Sequence, residues 1–246
     1  MTTPKTFARA TGLLYLIVAA GGLFAITVRN RIVEPGNAAA TADNIRASAG
    51  LFRAGFFSEL VASVLFLATV MALYLLLKHV HQLVAAAMIT IVAVSVAIAC
   101  LNLLNWYTAL SIATSDTYPR TFGTAGADAL TMLYLDAYGH GGRIAYIFFA
   151  LWLVPLGYLV IRSGDFPKVL GIALIVGCFG YLAGAVTALL APDAPAGVLT
   201  SFGAVGGLPE LAFLAWLLVK GVPATAGDAP VPATPNQPQS VGRGRR

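Results

Sequence analysis

Six stretches of this chain are almost uninterruptedly apolar, at 10–28, 55–77, 83–105, 143–161, 168–190 and 198–219, and charged residues gather at their edges. Each is long enough to cross a hydrocarbon layer of roughly 30 Å, which takes about 20 helical residues. The apolar positions run all round each stretch, with Gly and Ala among them. A barrel strand would instead alternate apolar and polar residues. The pattern predicts an all-α fold, an integral membrane bundle of six transmembrane helices. The first stretch follows Lys5 and Arg9 as a signal-peptide core would. It is longer than such a core and no clear A-x-A site follows it, so it reads as the first span.

The polar intervals differ in length. Two are tight and basic, "KHVH" and "RSGDFPK", while two longer loops cover residues 29–54 and 114–142. In the first, "EPGNAAATADNI" predicts a turn followed by a short surface helix starting near Thr41 and Asp43. The second holds another candidate helix over 127–138. After Val222 the chain turns rich in Pro and polar residues, "PATAGDAPVPATPNQPQSVGRGRR". That composition predicts a disordered, solvated tail. The chain therefore divides into a six-helix transmembrane domain at 1–222 and a tail at 223–246.

Composition supports the membrane reading. Of 246 residues, 59% are hydrophobic and 10% charged, with a mean hydropathy of +0.83, whereas soluble domains carry roughly a quarter charged residues. The net charge of +5 does not point to nucleic acid. Its basic residues stand singly at the edges of apolar runs and form no stripe, so they read as interface anchors facing the lipid bilayer. Six crossings put both termini on one side. That side carries nine of the 15 Lys and Arg residues, which predicts cytoplasmic termini.

Depth along each helix sorts the ionisable residues. Glu59 and Arg143 each lie 19 residues from a basic anchor, Lys78 and Arg162. At ~1.5 Å per residue that is about 28 Å, near the outer interface, with Asp136 and His140 further out. Glu210 lies only ten residues from Lys220, about 15 Å of helix and close to the bilayer midplane. A charge there costs at least ~2.5–3.5 kcal/mol even on insertion scales. Gly206, Gly207 and Pro209 precede it. One reading is a broken helix that presents Glu210 at the positive end of a new segment, as transporters build midplane sites. The other is a kinked helix in which Glu210 hydrogen-bonds a neighbour for packing. Asp136, His140 and Arg143 share a face at i, i+4 and i+7 if their helix is continuous, which Gly139, Gly141 and Gly142 put in question. Such a set binds an anion or shuttles a proton; an interface anchor with a local salt bridge needs no ligand at all.

Other chemistries find little support. Cys100 and Cys178 differ in depth by about 13 Å, beyond the roughly 7 Å Cα limit of a disulfide, and neither has metal-ligand spacing. No pair of His residues lies at matched depth for a haem. G-x-S-x-G, H-E-x-x-H and the Walker and dinucleotide glycine patterns are absent. No cofactor is expected. Gly180, Gly184 and Ala188, with Gly177 nearby, form a close-packing face.

Four stretches, "IVEPGNAAATADNIRASAGLFRAG", "ALYLLLKHV", "FFALWLVPLGYLVIRSGDFPKVLG" and "PELAFLAWLLVKG", together resemble a bacterial family of multi-pass membrane proteins catalogued as domain of unknown function 4386. The resemblance spans residues 7–222 and implies a multi-helix fold in a bacterial inner membrane. It brings no activity, substrate or catalytic residue. The residues themselves favour a non-enzymatic pocket open to the outer side that binds or moves a small molecule or proton. Glu210 is its deep carboxylate, and Glu59, Asp136, His140 and Arg143 form an outer vestibule. The alternatives are a membrane enzyme using His140 or Glu59 as acid/base at the outer interface, and a structural or signalling protein with no ligand.

Overall fold

The computed structural model describes residues 4–191 and 193–222, so the expected tail at 223–246 lies outside the described residues. Among them are eight helices and no strand: α1 Pro4–Ile32, α2 Ala38–Ala47, α3 Ala49–Leu77, α4 Gln82–Thr114, α5 Thr117–Leu151, α6 Leu153–Ser163, α7 Lys168–Leu190 and α8 Ala196–Val219. Six helical paths are long and apolar enough to cross a membrane, with α5 and α6 making one path, Thr117–Ser163. The chain is a six-span helical membrane protein.

Local chemistry explains where the helices stop. Pro155 lacks an N–H, and its ring crowds the carbonyl four residues back, which is Leu151, where α5 gives way to α6. Gly164 closes α6 in the left-handed region at φ 76°, and Pro167 stands directly before α7. His81 caps α4, its Nδ1 accepting from the Val84 N–H at 3.3 Å. The surface helix α2 starts earlier than Thr41 because Asn37 takes the capping position and accepts from the Ala40 N–H at 3.0 Å. The second long interval is almost wholly helical. α4 runs on to Thr114 and α5 begins at Thr117, its only non-helical residue being Gly123 at φ 74°, ψ 161°. The candidate helix at 127–138 is part of α5.

The order of packing is α1 on α3, α3 on α4, α4 on α5, α5 on α7 and α7 on α8, with α6 against α7 and α8 closing back on α1. The described ends of the chain meet: the Arg9 guanidinium donates to the Val219 carbonyl at 3.1 Å. We name this end the terminal face and the other the distal face. On the distal face Arg46 ties α2 down, pairing with Asp43 and the buried Asp128 and donating from Nε to the Ala113 carbonyl at 3.1 Å. The expected small-residue face of α7 packs on α8, with Gly177 against the Gly206 backbone, Gly180 against Val205 and Gly184 against Phe202. α6 and α7 approach more closely still, at Gly157 and Gly171.

The two turns of the terminal face also meet. The Asp165 side chain is only 9% exposed and lies 3.9 Å from His79 Nε2, yet its Oδ2 accepts no hydrogen bond. Burial raises the Asp165 carboxyl above the ordinary carboxylate range, and the nearby His79 opposes this. A carboxyl raised on folding favours the folded state at low pH and loses that contribution as pH rises through its folded value. Asp165→Asn, which cannot ionise, is therefore expected to raise the melting temperature by up to a few degrees at neutral pH. The gain should vanish below about pH 3, where the wild-type carboxyl is protonated in both states. Melting curves of the two proteins at three pH values check this.

Candidate ligand cavity

The bundle has two apolar cores. The larger fills the terminal half and includes Phe66, Trp152, Leu156 and Phe213. The smaller lies at the distal end around Phe52, Trp106 and Tyr138. A cavity of about 620 Å³ is walled by residues of both, among them Tyr15, Phe66 and Tyr138. Its volume falls within the roughly 300–1,000 Å³ of small-molecule sites.

Glu210 lines this cavity at 8% exposure. Helix α8 is continuous through residues 206–210, so of the two readings the broken helix is absent and Pro209 stands inside the helix. Two phenols accommodate the carboxyl group. Tyr15 of α1 donates to Oε1 at 2.5 Å and Tyr181 of α7 donates to Oε2 at 2.6 Å. Among the described residues no Lys, Arg or His pairs with it. Each oxygen of an ionised carboxylate has two acceptor sites, so two remain after the phenols. Gly206 makes this arrangement fit, because a Cβ there would lie 2.2 Å from the Tyr181 ring.

Glu59 lines the distal part of the same cavity. The Tyr138 hydroxyl lies 2.6 Å from both of its oxygens, and the Arg29 guanidinium lies over the Tyr138 ring, 5.5 Å from its centroid. Glu59 and Arg29 thus flank one phenol. Asn102, also in the wall, holds this part of α5 in place by donating to the Tyr138 carbonyl at 2.8 Å. Gly141 lets α5 come this close, since a Cβ there would fall 2.1 Å from Asn102 Oδ1.

The "GHGGR" segment is helical throughout, so Asp136, His140 and Arg143 do share a face. Asp136 and His140 are exposed and line neither cavity. Arg143 enters a second, smaller cavity of about 370 Å³ between α5, α7 and α8. The two cavities share Arg29, Tyr138, Gly142, Tyr146 and Tyr181 in their walls. Of the five expected site residues, then, Glu210 and Glu59 meet one cavity, Arg143 lines its neighbour, and two point elsewhere. Cys100 and Cys178 are both free thiols, and no cluster with metal-ligand composition occurs among the described residues.

Sequence reasoning passed over Tyr15, Tyr181, Tyr138 and Arg29. Depth matching offers a signal for the first two. Tyr15 lies ten residues from Lys5, as Glu210 lies ten from Lys220, and Tyr181 lies 13 from Lys168. Their helices bring all three to about 15–20 Å from the terminal-face anchors.

A bundle of six membrane-length helices with carboxylates facing an internal cavity defines a multi-pass membrane protein with a central chamber. The chain belongs to the family described as Domain of unknown function (DUF4386), which matches residues 10–221. An uncharacterized protein of Archaeoglobus fulgidus is 35% identical over 78 residues, covering 32% of this chain and 44% of that protein. The chain thus spans less than half of that relative's length. No solved structure matches it.

Proposed function

We propose that this protein binds a small molecule or a proton in its central cavity and moves it between the membrane interior and the distal face. The supporting observation is one chamber of about 620 Å³ with Glu210 and Glu59 in its wall. A carboxyl group that two helices hold by phenols is positioned in advance, so it can take a proton or a polar ligand group without rearrangement. A purely structural Glu210 would need only its two phenols and no chamber. Acid/base catalysis by His140 with Glu59 finds less support, because His140 does not line the chamber and both Glu59 oxygens already face the Tyr138 hydroxyl. The side that carries both termini is read as cytoplasmic from its tight basic turns, "KHVH" and "RSGDFPK", and the Arg residues at 243–246, and the bacterial inner membrane is what the family resemblance implies.

Native mass spectrometry of wild type and Glu210→Gln, purified in the same detergent, tests the binding. The expected result is a discrete co-purifying species on the wild type that the variant loses. Identical bulk lipids on both proteins would remove the case for a site at Glu210 and leave helix packing as its role.

A further inference from the structure

The chamber opens sideways. Leu23 and Ile26 of α1 and Leu211 of α8 belong to its wall, yet they are 65%, 50% and 56% exposed. The two helices touch at the terminal face, where Gly12 packs on Leu217 and Leu218 and Arg9 reaches Val219. Further along, α1 and α8 leave these cavity-lining leucine and isoleucine side chains bare. Exposed apolar residues at that depth face lipid tails, so the side opening communicates with hydrocarbon. The distal approach is different: Arg29 stands in both cavities and Arg143 in the smaller one. Arg143 has no hydrogen-bond or ion-pair partner among the described residues. Two guanidiniums against one carboxyl group, Glu59, leave that end with no excess negative charge to draw a cation from water.

Inside, the least compensated group is Glu210, which is buried and has phenol donors but no cation. The chamber wall beside it is aromatic, with Tyr15, Phe66, Tyr146, Phe149 and Tyr181. Tyr146 and Phe149 lie 5.1 and 5.7 Å, centroid to centroid, from Tyr181. Aromatic faces around a carboxylate are the surroundings that an organic ammonium prefers.

Resting on the proposed chamber, we infer that its ligand is a lipophilic amine that enters from the bilayer between α1 and α8 and places its nitrogen at Glu210. The pairing conserves charge. A neutral amine meeting the carboxylic acid accepts its proton through the nitrogen lone pair, giving ammonium and carboxylate. The two acceptor sites that Tyr15 and Tyr181 leave free then receive the ammonium hydrogen. The apolar remainder of the ligand lies along Phe66 and Phe149. Charge is neutral before and after, which is what a site reached through hydrocarbon requires.

Titration of the purified full chain with three probes of one chain length tests this: dodecyldimethylamine, dodecanol and dodecanoate, with occupancy read by native mass spectrometry from an uncharged detergent. The amine is expected to bind at least tenfold more tightly than the other two. Glu210→Gln should remove that preference. Phe149→Leu, which removes an aromatic face beside Tyr181 without removing a hydroxyl, should weaken the amine severalfold more than dodecanol. If dodecanoate binds best, or the amine preference survives Glu210→Gln, the amine assignment is overturned while the chamber itself stands. Absence of saturable binding for all three probes on wild type overturns the amine assignment together with the chamber as a ligand site.

Discussion

Replacing Glu210 by leucine should destabilise the protein by about 1–3 kcal/mol, measured as a lower midpoint in denaturing-detergent titration. The loss comes from the Tyr15 and Tyr181 hydroxyls, which both donate to Glu210; Tyr181 keeps the Tyr146 hydroxyl as a partner, whereas Tyr15 has no other among the described residues. An average hydrogen bond between helices in a bilayer is worth only ~0.6 kcal/mol. A buried hydroxyl left unpaired costs ~1–3 kcal/mol, and that of Tyr15 is stranded here. Since α1, α7 and α8 meet at this one group, the loss should also loosen the closure of α8 on α1. Glu210→Gln keeps an acceptor for one phenol and should cost about 1 kcal/mol or less by the same scales. Equal damage from leucine and glutamine would mean that the carboxyl charge, not the hydrogen bonds, holds these helices.

The second large effect is expected at the contact of α6 with α7. A Cβ built on Gly157 would lie 2.6 Å from the Gly171 carbonyl oxygen, and one on Gly171 equally close to the Gly157 carbonyl. Real Cβ atoms do not come so near, and a backbone carbonyl inside a helix cannot swing aside as a side-chain tip can. Gly171→Ala should therefore force the helices apart and cost about 1–3 kcal/mol, the usual range for overpacking. Gly139→Ala is the matched control. Its Cβ would meet nothing within 4 Å, so removing a helical glycine there should be neutral or stabilising by about 0.5–1 kcal/mol. Equal behaviour of the two variants in the same unfolding assay would contradict the close contact.

The comparison of Gly171 with Gly139 shows how unevenly sequence reveals structure. Both are glycines in helices at the edge of apolar runs, and nothing in the neighbouring residues says which one another backbone approaches. The α7 face of Gly180, Gly184 and Ala188 could be recognised because its repeat is regular. The tighter Gly157–Gly171 contact brings together one glycine from each of two helices and has no repeat. Glu210 stood out because a carboxylate within an apolar run violates the transfer cost of its surroundings. Tyr15 did not, because tyrosine is ordinary in a membrane helix, and its partner is 195 positions away.

By itself the sequence determined the six spans, the two tight basic turns and the membrane class. These depend on sums over about 20 consecutive residues of transfer free energy and on Gly, Pro and Asn acting within a turn of themselves. Only the tertiary structure decided that Glu59 and Glu210 face one chamber, that Asp136 and His140 face away from it, and that α8 runs unbroken past Pro209. The helices that wall the chamber are apolar on nearly every side, so no periodicity marks which face turns inward. That choice is made by how the six helices fit against one another, through contacts between residues far apart in the chain.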